Sequence, residues 1–483
     1  MPARPRPRPR TDPARRAAYD VLRAVADRDA YANLLLPALL TERGLTGRDA
    51  AFATELTYGT LRGRGTYDAI LAACSDRDEI DPPVRDVLRL GAHQLLATRV
   101  GHHAAVATSV DLVKDVCGPR PSGFVNAVLR RVATRDLDGW VQIVAPDRVR
   151  DPSGYLAVRY SYPRWIVNAF GDALGPDAVA ETEDALAAGN ARPEVVLALS
   201  PDGSPGSEAA RPLPDGERTR WSPYGFRLAG GDPAPLVASG SGFRAAVQDE
   251  ASQLAALALT RTGVPGRDGL WLDLCAGPGG KARLLGGLAA ARGARLVAAD
   301  LHPHRARRVL DALRHASEPN ASEPNYGVVA ADGRQVPRPP GTFDRVLADV
   351  PCSGLGSLRR RPEARWRKTP GDLKDLTSLQ RELLGTALDS VRPGGVVAYV
   401  TCSPHLAETR EVVTAVTQAR DDVTILDAPA VLPEVPGLRR AHSRADSGPD
   451  SRFAQFWPHR HGTDAIFLAL LRRDASGAAE GTG

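Results

Sequence analysis

The sequence predicts a multidomain protein with an all-α N-terminal domain, a small α+β linking module and a C-terminal α/β domain with a mostly parallel sheet. The chain has 483 residues, more than one ordinary hydrophobic core contains. Apolar residues recur at helical spacing over roughly 13–137, with no strand pattern between them. From about residue 246, short apolar runs alternate with amphipathic stretches, an order typical of a parallel sheet covered by helices.

The composition is that of a globular protein, with 25% charged and 43% hydrophobic residues. No run of about 18 apolar residues is present, and the N-terminus lacks the apolar stretch of a signal peptide. The five cysteines are scattered, without CxxC spacing or neighbouring His clusters, which argues against a disulfide framework or a metal site. These features predict a cytoplasmic protein that binds no membrane.

The first 12 residues, MPARPRPRPRTD, are expected to form neither helix nor strand, because alternating prolines favour an extended polyproline conformation. The first 16 residues hold six Arg and one Asp, which equals the whole net charge of +5. Any nucleic-acid surface on the remaining chain must therefore be a local patch. We expect residues 1–12 to be a disordered arm, with an RNA-contacting arm as the alternative, and residues 474–483 to be a disordered tail.

The segment DPPVRDVLRLGAHQLLATR illustrates the helical pattern of residues 13–137. Asp81 is expected to cap this helix, and the two prolines after it suit the first turn. Small or apolar residues then recur on one helical face: Val84, Val87, Leu88, Gly91 and Leu95. Similar stripes elsewhere in this region predict a compact domain of six or seven helices.

Two further regions follow the helical domain. Residues 140–245 combine a helical stretch, YPRWIVNAFGDALG, with a strand-like stretch, PEVVLALS, and a segment rich in Gly, Pro and Ser, so we interpret them as a small α+β module. Residues 246–473 contain seven strand candidates: LWLDLCAG, RLVAAD, GVVAAD, RVLADV, GVVAYVTCS, VTIL and AIFLALL. Helices are expected between them, at 281–291, 304–315, 372–391 and 406–419.

A glycine-rich turn follows the first of these strands in LDLCAGPGGK. Its residues are Gly277, Pro278, Gly279 and Gly280. Glycines there let the backbone approach a ligand, and the helix that begins near Lys281 offers free N–H groups. Asp300 ends the second strand, where a carboxylate suits a ribose hydroxyl pair, and Asp332 ends the third, within possible reach of a base.

The pattern of this turn selects the kind of ligand. It is not GxGxxG, and no phosphate-binding GKS or GKT follows it. An adenosyl ligand without a long phosphate tail therefore fits better than a dinucleotide. A tight structural turn is the alternative for the glycines alone, and the acids at the next two strand ends argue against it.

Two cysteines follow the fourth and fifth strands, Cys352 in RVLADVPCSG and Cys402 in YVTCSP. Ligands of an open parallel sheet bind outside the carboxyl ends of its strands, so acids and thiols would share one rim. That rim would carry Cys275, Asp300, Asp332, Asp349, Cys352 and Cys402. Cys275, inside the glycine turn, is expected to pack or to offer its backbone. A single cysteine is usually an inert buried thiol, but two at adjacent strand ends beside a carboxylate favour catalysis.

Methylation of C5 in a pyrimidine needs a thiol beside an adenosyl cofactor. C5 is a poor nucleophile in the aromatic ring, and a thiolate that adds to C6 converts C5 into an enamine-like carbon. After methyl transfer, the C5 proton leaves and the thiol is expelled. A carboxylate at the N3/N4 edge of the base would stabilise the developing charge, and a second thiol could assist release.

The motifs DLCAGPGGK, ADVPCSGLGSLRRRPEARW and YVTCSP together resemble the Sun-type family of RNA 5-methylcytosine methyltransferases. The N-terminal segments LTYGTLR, GAHQLLATRV and GFVNAVLRRV resemble the NusB-type RNA-binding domain. The pairing is similar to the bacterial small-subunit ribosomal RNA methyltransferase B branch, over roughly residues 13–473. The resemblance implies a NusB-like domain at 13–137, a Rossmann-like methyltransferase domain at 246–473, and S-adenosylmethionine as the cofactor.

The resemblance also implies the role of each site residue. Cys402 of the TCS motif would be the nucleophile, Cys352 would help to release the product, and Asp349 would lie at the cytosine. Lys281, one of only four lysines, would act at the cofactor or the base. No metal is expected, and the cofactor-binding set is Cys275, Ala276, Gly277, Pro278, Gly279, Gly280, Lys281, Asp300, Arg305, Asp332 and Asp349.

The chain departs from the family pattern at VVLALS in the central module, where relatives usually carry an Arg–Asn pair after the hydrophobic residues, and at two segments of the methyltransferase domain. After TCS the chain reads PHLAETRE, in which Glu408 keeps one acid of the usual PEEN-like sequence. The usual DGFF is DAIF here, from Asp464 to Phe467. These departures leave the two catalytic cysteines in place, and methyl transfer remains the predicted activity.

The predicted partner is RNA, small-subunit ribosomal RNA by the resemblance, and the protein is expected to be a monomer that binds no DNA. Its RNA contacts are expected at basic residues after Cys352 and on the helical domain: Arg359, Arg360, Arg361, Arg365, Arg367, Arg130 and Arg131. In this Arg-rich chain, such a run is as often a solvated face. Three alternatives remain open: cytosine methylation of a different RNA, an RNA-binding assembly or antitermination factor with a relic catalytic domain, and a DNA cytosine methyltransferase with Cys352 as the nucleophile.

Overall fold

The computed structural model of the chain describes residues 11–175, 178–201, 213–237, 244–316, 324–336, 338–439 and 449–475. Most of the expected N-terminal arm and C-terminal tail lies outside these residues. The chain forms two compact units, of which the first ends at Asn168 and also contains Leu358–Lys368. The second unit contains Ala169–Ser357 and the chain from Thr369 onward. The expected domain boundaries near 137 and 245 stay predictions, because compactness does not test which segments fold alone.

The first unit is helical, as the sequence predicts. Its helices are α1 Pro13–Arg28, α2 Ala32–Glu42, α3 Gly47–Cys74, α4 Pro82–Ala97, α5 His102–Cys117, α6 Ser122–Val132, α7 Leu137–Val144 and α8 Pro152–Tyr160. A ninth helix, α9 Arg164–Leu174, crosses the boundary between the units. Among the described residues, no helix combines the length and the apolar character that crossing a bilayer needs.

Helix α4 confirms the predicted apolar stripe and corrects the predicted cap. Every residue of that stripe is buried. Asp81 stands at the N-cap position, but its side chain makes no capping hydrogen bond. Pro83 removes the donor at the second helical position, which leaves only the N–H of Val84 as a possible partner, and the Asp81 side chain does not accept from it.

Arg365 corrects another prediction, since it lies inside the first unit rather than on an RNA-facing surface. Its side chain is completely buried. The guanidinium donates hydrogen bonds to the backbone carbonyls of Arg62 and Ser161, each at 3.2 Å, and to the hydroxyl of Tyr162 at 2.9 Å. Its Cζ also lies 3.7 Å from the centre of the Tyr162 ring. Arg365 therefore fixes the segment 358–368 among the helices of this unit.

We expect Arg365→Ala to weaken the packing of this segment by about 3 kcal/mol, because buried acceptors lose their charged donor and a cavity remains. Hydrogen exchange of residues 358–368 measures the effect as a loss of protection. The control is Arg361→Ala, at an exposed position of the same segment, which should change local stability by no more than about 0.5 kcal/mol. Unchanged protection in Arg365→Ala would contradict the structural role.

Within the described part of the chain, the second unit contains the remaining helices and all the strands. Its helices are α10 Val179–Ala188, α11 Ala234–Val237, α12 Glu250–Arg261, α13 Gly280–Ala290, α14 Pro303–Ala316, α15 Asp372–Ser390, α16 Arg410–Gln418 and α17 Pro458–His461. Its strands are β1 Val196–Leu199, β2 Gly216–Arg218, β3 Gly225–Leu228, β4 Ala245–Val247, β5 Leu270–Asp273, β6 Arg295–Asp300, β7 Tyr326–Ala330, β8 Phe343–Asp349, β9 Val391–Thr401, β10 Val423–Leu426, β11 Ala454–Gln455 and β12 Phe467–Arg473.

The strands form two sheets. The small sheet is antiparallel, with the order β2-β3-β1-β4. The large sheet has the order β10-β12-β9-β8-β5-β6-β7, with β11 paired to β12. Its strands from β5 to β9 pair in parallel, while β12 runs antiparallel to β9 and β10. The predicted mostly parallel sheet is thus confirmed. The described strands that the sequence did not predict are short: β2, β3, β4 and β11.

The large sheet is buried on both faces. Along β9, Val396, Ala398 and Val400 pack into a core with residues of α12 and α13. Val397 and Tyr399 point the other way and pack with residues of α15 and α16. This alternation follows from the two-residue period of a strand. The strand order reverses at β5, which lies between β8 and β6, and such a reversal opens a ligand crevice at the carboxyl ends of the strands.

Candidate active site

The glycine-rich turn lies between the end of β5 and the start of α13, as predicted. The N–H of Gly277 donates to Asp300 Oδ2 at 3.0 Å, and Arg305 Nη2 donates to the Gly277 carbonyl at 2.6 Å. A Cβ at Gly277 would lie only 2.2 Å from Asp300 Oδ2. Glycine is therefore required here, because the turn and the end of β6 approach each other closely.

Asp300 and Asp332 lie at the carboxyl ends of the neighbouring strands β6 and β7. Besides Gly277, Asp300 accepts the His302 N–H at 3.0 Å. An ionised carboxylate has about four lone-pair sites, so Asp300 can still accept from ribose hydroxyls. Asp332 lies two residues beyond β7, where hydrogen bonds from the Arg334 guanidinium lower its pKa. These donors and acceptors fit the adenosyl cofactor that the sequence predicts.

The two cysteines at the neighbouring strand ends β8 and β9 meet. The Sγ atoms of Cys352 and Cys402 are 3.2 Å apart, and both residues are partly exposed. The N–H of Gly356 donates to the Cys402 carbonyl at 2.8 Å, so the two turns are also joined through their backbones. This pairing places two thiols side by side at the carboxyl ends of β8 and β9.

The surroundings give the two thiols different proton affinities. A hydrogen bond from Cys352 lowers the pKa of Cys402, against the opposing effects of burial and of Asp349, and Lys281 lowers it further. The same hydrogen bond, followed by burial and the charges of Cys402 and Glu408, raises the pKa of Cys352 well above its usual value. Of the two thiols, Cys402 is therefore the one that loses its proton more readily.

Lys281 and Asp349 form an ion pair beside these thiols, with Nζ 2.8 Å from Oδ2. Although burial opposes it, the Asp349 carboxylate raises the pKa of Lys281, so this lysine stays charged near neutral pH. Only one carboxylate oxygen of Asp349 faces Lys281 in this pair, and 28% of the side chain is exposed. The ion pair thus fixes the orientation of the Asp349 carboxylate, which is partly exposed, beside the more deeply buried Lys281.

Two acidic or thiol groups of the turn stay neutral. Burial, with the Asp349 carboxylate as the second cause, raises the pKa of Asp273 at the end of β5 to about 8. Burial, together with the nearby Asp273, raises the pKa of Cys275. Cys275 is therefore a packing thiol, in line with its expected role, and sequence reasoning missed Asp273 because its partners come from other strands. Among the described residues, no group of three metal-ligating side chains is present.

The predicted RNA contacts lie in different environments. Arg361 is exposed, with its Cζ 5.4 Å from the Tyr31 ring centre, and Arg359 and Arg360 are partly buried. Arg367 donates to the carbonyl of Ala30 and is largely structural. Two further arginines lie on the surface of α6: Arg130, which donates to Asn126 at 3.3 Å, and Arg131, which pairs with Asp76 at 2.8 Å.

The DAIF segment supports the site through its backbone. The Asp464 N–H donates to the Asp249 carboxylate at 3.1 Å, and the Ala465 N–H donates to the Gly356 carbonyl at 2.9 Å. A Cβ at Gly356 would lie 1.8 Å from the Ala465 carbonyl oxygen. Sequence reasoning named Asp464 only as a departure from a motif, and the contact with the turn after Cys352 could not be read from spacing.

We expect Gly277→Ala to weaken binding of S-adenosylmethionine about 5- to 150-fold, because the new methyl group must displace Asp300, at a cost on the order of 1–3 kcal/mol. Calorimetric titration with the cofactor measures the loss. Gly269→Ala, just before β5, is the control, since a Cβ there would meet no neighbouring atom within 4 Å. Equal affinities for the two variants would contradict the role of this close approach.

Comparison with known proteins identifies relatives over nearly the whole chain. The family model described as 16S rRNA methyltransferase RsmB/F matches residues 263–472, and the NusB family model matches residues 12–134. A Mycobacterium tuberculosis protein named as a methyltransferase is 52% identical over 97% of this chain and 98% of its own length. The ribosomal RNA small subunit methyltransferase B of Pseudomonas putida is 32% identical over 96% of this chain and 99% of its own.

Solved structures share the fold. A protein designated PH0851 aligns with a TM-score of 0.71 at 21% identity, over 96% of this chain and 99% of that chain. A methyltransferase homologue from Pyrococcus horikoshii aligns with a TM-score of 0.50 at 20% identity, over 66% of this chain and 97% of that chain. Because the sequence matches extend over nearly the full length of the relatives, the chain belongs to the RsmB/F family of S-adenosylmethionine-dependent 16S rRNA methyltransferases.

Proposed function

We propose that this chain methylates C5 of a cytosine in 16S rRNA through a covalent adduct between Cys402 and C6 of the base. The observation that carries the proposal is the pair of thiols 3.2 Å apart at the rim of the sheet. N-methylation or O-methylation of RNA needs no thiol, whereas attack of C5 on a methyl group requires prior activation of C6. The geometry therefore favours carbon methylation.

The proposed sequence begins at Cys402. Its thiolate forms the Sγ–C6 bond, and the electron pair displaced from the C5–C6 double bond makes C5 nucleophilic. Bound S-adenosylmethionine would supply the methyl group: its S–CH3 bond breaks as the bond between C5 and the methyl carbon forms, and S-adenosylhomocysteine is the leaving group. A base then removes the C5 proton, the C5–C6 double bond re-forms, the Sγ–C6 bond breaks and the Cys402 thiolate returns.

The other residues at the rim orient the base, distinguish cytosine from uracil and assist release of the product. Asp349 Oδ2 is held by Lys281, and its second oxygen can accept a hydrogen bond from the exocyclic amine of cytosine. Uracil has a carbonyl at that position, so the carboxylate favours cytosine. Cys352 keeps its proton beside Cys402 and can stabilise the departing thiolate by donating a hydrogen bond.

The direct test uses the full chain, deproteinised 16S rRNA and S-adenosylmethionine with a deuterated methyl group. After digestion to nucleosides, mass spectrometry should find the label in 5-methylcytidine, and bisulfite sequencing should locate the modified cytosine. Label in another nucleoside would contradict the proposal. Failure to bind the cofactor at all would favour the alternative of a non-catalytic RNA-binding factor.

The substrate cytosine is expected in a loop, because a base must leave any helical stack to reach a pocket at a sheet rim. The candidates for phosphate contacts after Cys352 are now Arg359, Arg360 and Arg361, without the buried Arg365. The protein is expected to act on this RNA as a monomer, which sedimentation analysis would test.

Replacement of Arg359, Arg360 and Arg361 by Ala is expected to weaken RNA binding and to flatten its salt dependence. Removal of one arginine–phosphate pair should reduce the slope of log K against log salt by about 0.7 for single-stranded RNA, so the slope of the triple variant should fall by up to about 2. Filter binding at several salt concentrations measures the slope, and cofactor affinity is the control. An unchanged slope would show that this cluster only faces solvent.

A further inference from the structure

Glu408 is a fully buried carboxylate that the proposed reaction does not use. It ends a short 3-10 helix, Leu406–Glu408, in the turn after Cys402. Its Oε1 accepts the backbone N–H of Ser353 at 2.7 Å and the side-chain amide of Gln380 at 3.1 Å. Its Oε2 accepts the hydroxyl of Ser403 at 2.7 Å and the hydroxyl of Ser353. Ser353 follows Cys352 and Ser403 follows Cys402, so one carboxylate binds both cysteine turns.

We propose that Glu408 is the positioning residue of the two catalytic cysteines, holding their turns in register and keeping the shared proton on Cys352. This inference rests on the proposed function, because it assigns Cys402 as the nucleophile.

The geometric part of the proposal follows from where the hydrogen bonds lead. β8 and β9 end next to each other, but Cys352 lies three residues beyond β8 and so needs its own restraint. Gln380, from α15, donates both to Glu408 and to the Pro351 carbonyl at 2.8 Å, which fixes the start of the Cys352 turn. The Tyr399 hydroxyl donates to the backbone carbonyl of Glu408 at 2.8 Å and so fixes the end of the segment that follows Cys402. The separation of the two sulfurs is therefore set by a buried network centred on Glu408.

The electrostatic part follows from the arrangement of charges around the pair. Glu408 faces Cys352, and its charge contributes to the raised pKa of that thiol. On the other side, Lys281 favours the Cys402 thiolate, while Asp349 and Asp464 oppose it. At Tyr399, burial and the charges of Cys352 and Glu408 raise the pKa of the hydroxyl, and the charge of Arg381 opposes this shift. Removal of the Glu408 charge would therefore make Cys352 more acidic and divide the thiolate more evenly between the two sulfurs.

The test compares Glu408→Gln, which keeps the shape and removes the charge, with Glu408→Ala, which also removes the hydrogen bonds. Glu411→Gln is the matched control, an exposed acid three residues further along. Three quantities are measured on the full chain: cofactor affinity, kcat and KM for 16S rRNA, and the rates at which iodoacetamide alkylates Cys352 and Cys402 as a function of pH, resolved by peptide mass spectrometry.

In the wild type and in Glu411→Gln, iodoacetamide should alkylate Cys402 several-fold faster than Cys352 near pH 7, since only a thiolate reacts. Glu408→Gln should bring this ratio close to one and lower kcat about tenfold or more, with cofactor affinity and the KM for RNA nearly unchanged. Glu408→Ala should lower kcat by about 10²-fold, the usual cost of misplacing a catalytic group by about 1 Å.

A wild-type alkylation ratio and kcat in Glu408→Gln would overturn the proposal. If either Glu408 variant loses cofactor binding and so fails to fold, Ser353→Ala and Ser403→Ala replace it, and each should shift the ratio in the same direction; an unshifted ratio in both would also overturn it. The alkylation readout needs no RNA. A Glu408-dependent ratio in a protein that makes no 5-methylcytidine would therefore support the positioning role and contradict the proposed function.

Discussion

Cys402→Ala is expected to abolish methyl transfer, with kcat reduced by at least about 10⁴-fold, while cofactor affinity stays within about twofold. The thiolate attacks the base, so its loss removes the step that activates C5 and leaves no other group to form the covalent bond. The cofactor turn lies between β5 and α13, whereas Cys402 follows β9. Transfer of a tritiated methyl group to 16S rRNA measures the activity, and calorimetric titration measures the affinity.

An RNA that carries 5-fluorocytosine sharpens this test. Fluorine cannot leave C5 as a proton does, so methylation should stop at the covalent adduct, which denaturing electrophoresis detects. The wild type and a Cys117→Ala control should form the adduct, and Cys402→Ala should not. An adduct of normal yield in Cys402→Ala, together with its absence in Cys352→Ala, would exchange the two roles and favour the arrangement expected of a DNA cytosine methyltransferase.

Cys352→Ala is expected to produce the opposite result, an adduct with ordinary RNA that survives denaturation and a turnover rate lower by about 10²-fold or more. The Cys352 thiol lies within hydrogen-bonding distance of the Cys402 sulfur, where it can stabilise the thiolate as it leaves C6. Without that donor, addition still occurs and elimination becomes slow.

The measurement is the fraction of protein that remains bound to 16S rRNA after heating in detergent. Cys352→Ser serves as the conservative comparison, because a hydroxyl also donates a hydrogen bond and should recover part of the release rate. Normal turnover of Cys352→Ala without an accumulated adduct would reduce Cys352 to a structural residue.

The rim of the active site could be predicted from the sequence because strand ends are local features. Asp300, Asp349 and Cys402 each stand where an apolar strand run stops, and parallel strands of one sheet place all such ends on the same edge. The glycines of the turn after β5 were predictable for the same reason, since backbone freedom depends mainly on the residue itself.

The environment of each side chain at or near the site was not predictable in this way. Arg359 to Arg367 look like one basic surface in the sequence, yet Arg365 is buried against Tyr162 and two carbonyls from distant helices. Asp81 has the identity of a helix cap, but its side chain accepts no capping hydrogen bond. In both cases the outcome depends on partners that the residue's own identity does not reveal.

By itself, the sequence determined the helical first domain, the order of strands and helices in the second, the glycine turn and the acids and thiols at the rim. Periodicity and strand termination are short-range properties, so one amino-acid sequence contains this information without comparison to others. Only the tertiary structure decided that Cys352 and Cys402 touch, that Glu408 joins their turns and that Lys281 pairs with Asp349. The physical reason is that these contacts join residues on different strands and helices, and their hydrogen bonds and pKa shifts arise only when folding brings those elements within about 3 Å of each other.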